Sequence, residues 1–175
     1  MIEMDQRALV ERLRRLDEDA ALMFDDGRRF RLIIVGGSAL VMRNYIIRAT
    51  HDIDAVSVPR ELGDLLCKYD INSRAEAYIS NFPYHFEDRV QYLLTGRKID
   101  FLTASLEDIV IAKLHSNRTV DEKDVESPAV IKKLNWGLLD HLANDADEAK
   151  ASALNERSHK EFLFCYENYV RRWRP

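Results

Sequence analysis

The sequence lacks three features that would assign it to common functional classes: a long apolar run, a cysteine pattern and an excess of positive charge. No apolar run is long enough to cross a bilayer, and the N-terminus MIEMDQRALVER carries charges unlike a secretory signal. The two cysteines, Cys67 and Cys165, lie far apart, which predicts reduced thiols and no zinc motif. We therefore expect a cytoplasmic protein with no membrane contact.

The charge balance argues against a surface that binds nucleic acid everywhere. The formal net charge is −4 over 175 residues, so any RNA contact would need a local basic patch. Arginines cluster within 12–15 and 171–174, but a solvated helix face explains the first cluster and a helix C-terminus explains the second. There is no internal repeat or low-complexity linker, and the length predicts one compact domain.

The most informative stretch begins with a strand that ends in a glycine turn. Ile33-Ile34-Val35 is a short β-branched apolar run, typical of a buried strand, and it stops at Gly36-Gly37. Ser38 then opens a mostly apolar helical segment. Its hydroxyl could cap a free amide, and the exposed amides beside the glycines could bind a phosphate. The alternative is a tight turn that binds nothing.

The next strand carries two carboxylates. Asp52 and Asp54 are separated by Ile53 and followed by the apolar run from Ala55. Alternate residues of a strand face the same way, so both carboxylates should lie on one side while Ile53 and Ala55 face the core. Two carboxylates this close repel unless a cation lies between them, and Mg²⁺ bound through oxygen ligands is the expected ion.

This order of strand, Gly-Ser, helix and Asp-x-Asp resembles the nucleotidyltransferase superfamily of DNA polymerase beta. The matching residues are Gly37-Ser38, Asp52 and Asp54. The superfamily also uses a third carboxylate on a later strand, and Asp100, within the short apolar run 98–102, is the candidate. The resemblance implies a two-metal site of Asp52, Asp54 and Asp100, with Mg²⁺ or Mn²⁺ and a nucleoside triphosphate (NTP) such as ATP bound at Gly36, Gly37 and Ser38.

A second stretch resembles the AbiEii-like branch of that superfamily, which includes bacterial toxins. In that branch a helical Lys contacts the nucleotide phosphates and a later Asp completes the site, and the matching positions are Lys113 and Asp124. The pattern Arg48-x-Thr50-x-Asp52 also fits, so Arg48 is a candidate triphosphate clamp. The alternatives are a loop-holding pair of Arg48 with Asp52 or Asp54, a solvated charge at Lys113 and a helix salt bridge at Asp124.

Periodicity predicts the remaining elements. Helices are expected over 5–24, 60–69, 105–117, 130–134, 136–151 and 155–173, the first strand over 30–35, and a hairpin from strands within 84–94 and 99–102. The resulting fold is α/β: a small mixed sheet flanked by helices, as in the nucleotidyltransferase fold, with a helical C-terminal part. We expect a catalytic core over 1–125 and a helical extension of the same domain over 126–175.

The predicted function is metal-dependent transfer of a nucleotidyl group from an NTP to a hydroxyl group. The acceptor is left open between RNA such as a tRNA end, a protein and a small alcohol. By analogy with the branch, the protein could be a toxin with a cognate antitoxin protein as partner. The alternative is a catalytically degenerate protein of the same fold that binds a nucleotide or a partner. A third possibility is an interaction domain whose Asp-x-Asp is accidental.

Overall fold

The computed structural model describes residues 4–116 and 118–175, so the expected helix end at position 117 lies outside the described residues. The chain divides into two compact units, Met1–Glu76 with Val90–Ala104, and Ala77–Arg89 with Ser105–Pro175. We call them the sheet unit and the helical unit. The predicted division of the chain at residue 125 stays a prediction.

The sheet unit contains a five-stranded mixed sheet. Its helices are α1 Gln6–Met23, α2 Gly36–Met42 and α3 Gly63–Lys68, and its strands are β1 Phe30–Val35, β2 Ile53–Val56, β3 Ile71–Asn72, β4 Gln91–Thr95 and β5 Ile99–Thr103. The strand order is β3-β2-β1-β5-β4. β1 is antiparallel to β2 and parallel to β5, while β3 runs parallel to β2. The predicted α/β class with a small mixed sheet is confirmed.

The strongest sequence patterns form the predicted elements. The helix expected over 5–24 is α1, with Asp5 as its N-cap, and its apolar stripe of Leu9, Leu13 and Leu16 is fully buried. β1 occupies its predicted residues, and the predicted hairpin forms from β4 and β5. The helix expected over 60–69 is a 3₁₀ turn followed by the shorter α3.

The helical unit contains six α-helices among its described residues, together with a 3₁₀ helix at Phe86–Arg89. The α-helices are α4 Leu106–Leu114, α5 Thr119–Val125, α6 Pro128–Lys133, α7 Trp136–Asn144, α8 Ala149–Ser152 and α9 Glu156–Trp173. Ser105 begins α4 as predicted, since its hydroxyl accepts from the amide of Asp108 at 3.1 Å. α9 buries Phe162, Tyr166 and Tyr169 on one face. Over the described part of the chain, no helix is both long and apolar enough to cross a membrane.

Candidate active site

The turn that ends β1 needs glycine for two reasons. Gly36 has φ +66°, a left-handed conformation that side chains disfavour. A Cβ at this position would also lie 3.0 Å from Oδ2 of Asp54. The close approach places the Asp54 carboxylate directly against the backbone of the turn. The resemblance implied that the glycine turn and Asp54 would be neighbours, and they are neighbours in the structure.

Arg48 lies against the next residue of the same turn, Gly37. A Cβ at Gly37 would come within 2.5 Å of Nη2 of Arg48 and 3.4 Å of its guanidinium carbon. The Nη1 atom of Arg48 donates a hydrogen bond to the carbonyl of Ala49 at 3.2 Å. The turn, a carboxylate and a guanidinium therefore share one small region of the sheet unit. A guanidinium and backbone amides near a glycine turn are the donor set that phosphate oxygens require.

Ser38 holds this region together through its hydroxyl. The side chain is 1% exposed, donates to the carbonyl of Val35 at 3.0 Å, and accepts from the amide of Asp54 at 3.3 Å. It does not cap α2, which has no side-chain cap, so the predicted capping role is wrong. Through its two hydrogen bonds, the hydroxyl instead links the end of β1, at Val35, to β2, at Asp54. Phosphate binding by the backbone at Ser38 stays a prediction.

Asp52 and Asp54 follow the predicted alternation. Ile53 and Ala55 are fully buried, Asp54 is half-buried, and Asp52 is exposed immediately before β2 begins. Asp54 pairs with Val35, the last residue of β1, so it lies at the end of the strand where the glycine turn starts. Asp54 therefore lies beside the turn, with Asp52 exposed two residues before it, while Ile53 and Ala55 belong to the core.

Asp100 is not brought to this region, and this corrects the expected three-carboxylate site. Asp100, in β5, is the strand partner of Arg31 in β1. Asp54, in β2, is the strand partner of Val35, which lies four positions further along β1. At about 3.3 Å per residue, this offset is about 13 Å along the strand. Asp100 Oδ1 instead forms an ion pair with Nη2 of Arg29 at 2.5 Å. The physical reason is the parallel pairing: Asp100 lies near the start of β5, and only the end of β5 meets the end of β1.

Lys113 and Asp124 come together with each other, in the helical unit. Nζ of Lys113 donates to Oδ2 of Asp124 at 2.9 Å and also to Asp121. The three side chains are 7%, 3% and 2% exposed respectively, so Lys113 is a buried ion-pair partner rather than a solvated charge. For Asp124, this contact is a salt bridge, which was the alternative to a role in the active site. Contact of Lys113 with nucleotide phosphates stays a prediction.

The negative charge of Asp121 is compensated by several donors. Burial alone would raise its pKa, but hydrogen bonds from Lys113, Ser116 and Arg118, with the charge of Lys113, outweigh burial and lower the pKa. Asp121 and Asp124 lie three residues apart on α5, so one helix face carries both. Sequence reasoning missed Asp121, although this spacing opposite Lys113 is a signal that could have found it.

Asn72 was also missed, and its sequence context offers no signal. It occupies the two-residue strand β3, where it pairs with Asp54 in parallel register. Its Nδ2 donates to Oδ1 of Asp54 at 2.7 Å. Two residues are too few for a periodic pattern, so neither the strand nor the contact could be predicted.

The residues beside the turn fit a metal ion that arrives with phosphates, and do not form a complete metal site by themselves. Within 4–116 and 118–175, no group of three or more His, Cys, Asp or Glu side chains could hold a metal ion. Mg²⁺, however, is commonly bound by one or two carboxylates together with substrate phosphates and water. Asp52 and Asp54 supply such a pair, and the glycines of the turn carry no side chains of their own, so Asp54 and Arg48 approach the backbone there.

Comparison with known proteins adds one match. The family model described as "Nucleotidyltransferase of unknown function (DUF6036)" matches residues 11–174. No curated protein and no solved structure matches the chain significantly. The match covers nearly the whole chain, including both the glycine turn and Lys113, and it does not specify the AbiEii-like branch.

Proposed function

The chain belongs to this family of nucleotidyltransferases of unknown function, and from that premise we propose that it transfers a nucleotidyl group from an NTP to a hydroxyl group with Mg²⁺ or Mn²⁺. The observation that carries the proposal is the placement of Asp54 and Arg48 against Gly36 and Gly37, with Asp52 exposed two residues before Asp54. Carboxylates for a cation, and amides with a guanidinium for phosphates, are what this chemistry requires.

In the proposed reaction, the acceptor oxygen forms a bond to the α-phosphorus of the NTP. The bond from that phosphorus to the α–β bridging oxygen breaks, pyrophosphate leaves, and the acceptor proton passes to solvent. A bound Mg²⁺ would neutralise charge on the phosphates and position them. Asp52 and Asp54 would hold the ion. Arg48 and the amides of 36–38 would bind the β- and γ-phosphates and stabilise the charge that develops on pyrophosphate.

The position of Asp100 changes the proposed mechanism. The expected role of Asp100, to hold an ion and to orient or deprotonate the acceptor, has no geometric support, because Asp100 pairs with Arg29. The roles of Lys113 and Asp124 in the same reaction rest on the resemblance alone. The RNA or protein acceptor, the toxin activity and the antitoxin partner have the same basis, and we propose them only as the first acceptors and partners to test.

A second candidate function is favoured by a specific observation. The described residues contain no three-carboxylate group, so the chain could bind a nucleotide or a partner without catalysing transfer. This is the degenerate protein considered from the sequence. Both functions would use the same turn. They differ in whether the labelled nucleotidyl group is transferred to an acceptor.

The experiment that separates them incubates the purified chain with each α-labelled NTP, millimolar Mg²⁺, and total cell RNA or total cell protein. Nucleotidyl transfer predicts label on one acceptor class, with release of pyrophosphate, and no label when Mg²⁺ is chelated. Retention of labelled NTP on the chain with no labelled acceptor supports the binding protein. Neither retention nor transfer, with any NTP, contradicts both.

A further inference from the structure

The neighbour of Asp54 on the adjacent strand is an amide, Asn72, rather than a charged residue. The two residues pair in parallel register, and Nδ2 of Asn72 donates to Oδ1 of Asp54 at 2.7 Å. The other oxygen of Asp54, Oδ2, faces the backbone of Gly36. Oδ1 of the carboxylate therefore accepts from a neutral donor, while Oδ2 lies against the glycine turn.

The orientation of the Asn72 amide follows from a second contact. Its Oδ1 accepts a hydrogen bond from the backbone amide of Arg74 at 3.0 Å. A backbone N–H can only donate, so the atom that faces it must be the side-chain oxygen. The NH₂ group must then face Asp54. This local turn fixes which end of the amide meets the carboxylate.

The short strand that carries Asn72 is built at some conformational cost. Asp70, just before it, has φ 52°, a left-handed conformation that is unfavourable for a residue with a Cβ. The strand itself contains only Ile71, which is buried, and Asn72, which is half-buried. Two residues add little to a sheet, and besides burying Ile71 this strand places an amide on Asp54.

We propose that Asn72 is a positioning residue that fixes the carboxylate of Asp54 for metal binding. The inference rests on the proposed function, since it concerns the same site. A carboxylate rotates freely about its last bond, and one hydrogen bond at Oδ1 fixes its plane. A neutral donor suits this role because it orients the carboxylate without removing its negative charge, whereas an anionic neighbour would repel Asp54.

The test titrates Mn²⁺–NTP complexes, prepared with each of the four common NTPs, into the purified chain by calorimetry. The change Asn72→Ala should weaken binding of the best complex by about 10–100-fold, the loss typical when a hydrogen bond to a metal ligand is removed. Gln6→Ala is the matched control, because it also removes one amide donor within the sheet unit, to the carbonyl of Met42 at 2.9 Å. Gln6→Ala should bind like the unchanged chain, with a similar metal-free melting temperature to Asn72→Ala.

A second variant keeps the proposal testable if Asn72→Ala does not fold. Asn72→Asp retains the oxygen that accepts from Arg74 but replaces the donor to Asp54 with a second carboxylate oxygen. The metal-free melting temperature should fall through repulsion, and Mn²⁺ alone should raise it by more than it raises that of the unchanged chain. An equal Mn²⁺ shift in the two chains would show that residue 72 does not act on Asp54.

The outcomes separate this inference from the function beneath it. If no Mn²⁺–NTP complex binds the unchanged chain, the proposed function fails and the role of Asn72 fails with it. If binding occurs and Asp54→Asn abolishes it, while Asn72→Ala binds as Gln6→Ala does, only the role of Asn72 is overturned. A loss in both Asp54→Asn and Asn72→Ala supports the inference.

Discussion

Two pairs of aspartates, one pair in each unit, have opposite surroundings. In the sheet unit, Asp52 is exposed and Asp54 is half-buried beside the glycine turn. In the helical unit, Asp121 and Asp124 are buried against Lys113. Buried charges require a partner within the chain, because desolvation would otherwise be prohibitive. Carboxylates left near solvent can still exchange water for a cation. The difference suggests stability as the role of the helical cluster and binding as the role of the sheet cluster.

The largest expected effect comes from breaking the helical cluster. Lys113→Met should lower the free energy of unfolding by about 3–5 kcal/mol, because it leaves buried carboxylates without their shared cation. Lys123→Met is the control, since Lys123 is exposed on α5, the helix that carries Asp121 and Asp124. Urea unfolding, with hydrogen exchange of α4 and α5, measures the effect. Equal stability of the two variants would show that the buried pair does not stabilise this unit.

In the sheet unit, we expect replacement of Asp54 to lower activity, and replacement of Asp100 to lower stability slightly without changing activity. Asp54→Asn should lower nucleotidyl transfer by at least about 10²-fold, the loss seen when one electrostatic group of a catalytic site is removed. Asp100→Asn, in the same sheet, should lower stability by about 1 kcal/mol or less through its partly exposed pair with Arg29, and leave transfer per folded molecule unchanged. Initial rates corrected for folded fraction measure both. A larger loss of transfer in Asp100→Asn than in Asp54→Asn would show that Asp100 acts in the reaction.

The helical unit should lose stability as the pH falls. Burial, with the charge of His159, lowers the pKa of His115 to about 4, below its usual value of 6.5. The unfolded chain therefore binds a proton between these pH values that the folded chain does not. The contribution of His115 to stability is complete above pH 6.5 and falls by about 1.4 kcal/mol per pH unit down to about pH 4. Below pH 3.8, protonation of Asp121, whose pKa is lowered, removes more.

Urea midpoints at pH 7.0, 5.5 and 4.5 measure this dependence. His115→Phe, which retains a ring that can stack on Phe162, should reduce the slope. His141→Gln, at an exposed position, should leave it unchanged. An undiminished slope in His115→Phe would assign the pH dependence to other groups, such as His159, whose pKa is also lowered by burial.

The smallest effect should come from the glycine turn. Gly37→Ala places a Cβ where Nη2 of Arg48 lies, and the flexible arginine can move away. Metal-free stability should hold, while NTP binding should weaken about tenfold, or about 1.4 kcal/mol, as Arg48 leaves its place. Gly63→Ala is the matched control, since a Cβ there would meet no atom within 4 Å. Equal NTP binding by the two variants, measured by calorimetry, would contradict a role for Arg48 in phosphate binding.

Local patterns predicted the fold and the elements around the glycine turn. The strand at 30–35, the glycine turn and the alternation around Ile53 follow from residues adjacent in sequence, so they could be read directly. The end of β5 at which Asp100 lies depends on strand order and register, which no local pattern encodes. The contact of Asn72 with Asp54 depends on a two-residue strand. The burial of Lys113 depends on packing within the helical unit, where burial and charge pairing override the expectation that lysine stays exposed.

The most direct test of the central claim, that the turn and its two aspartates bind a metal–NTP complex, is the melting temperature in four conditions: no ligand, Mg²⁺, NTP, and both. Ligands that bind the folded site together stabilise it by mass action, about 2.7 kcal/mol at 100 times the dissociation constant, or about 5–10 °C for a chain of this length. The account predicts that the joint shift with one of the four NTPs exceeds the sum of the separate shifts, and that Asp54→Asn abolishes the excess. Additive shifts with all four NTPs, or the same excess in Asp54→Asn, would contradict it.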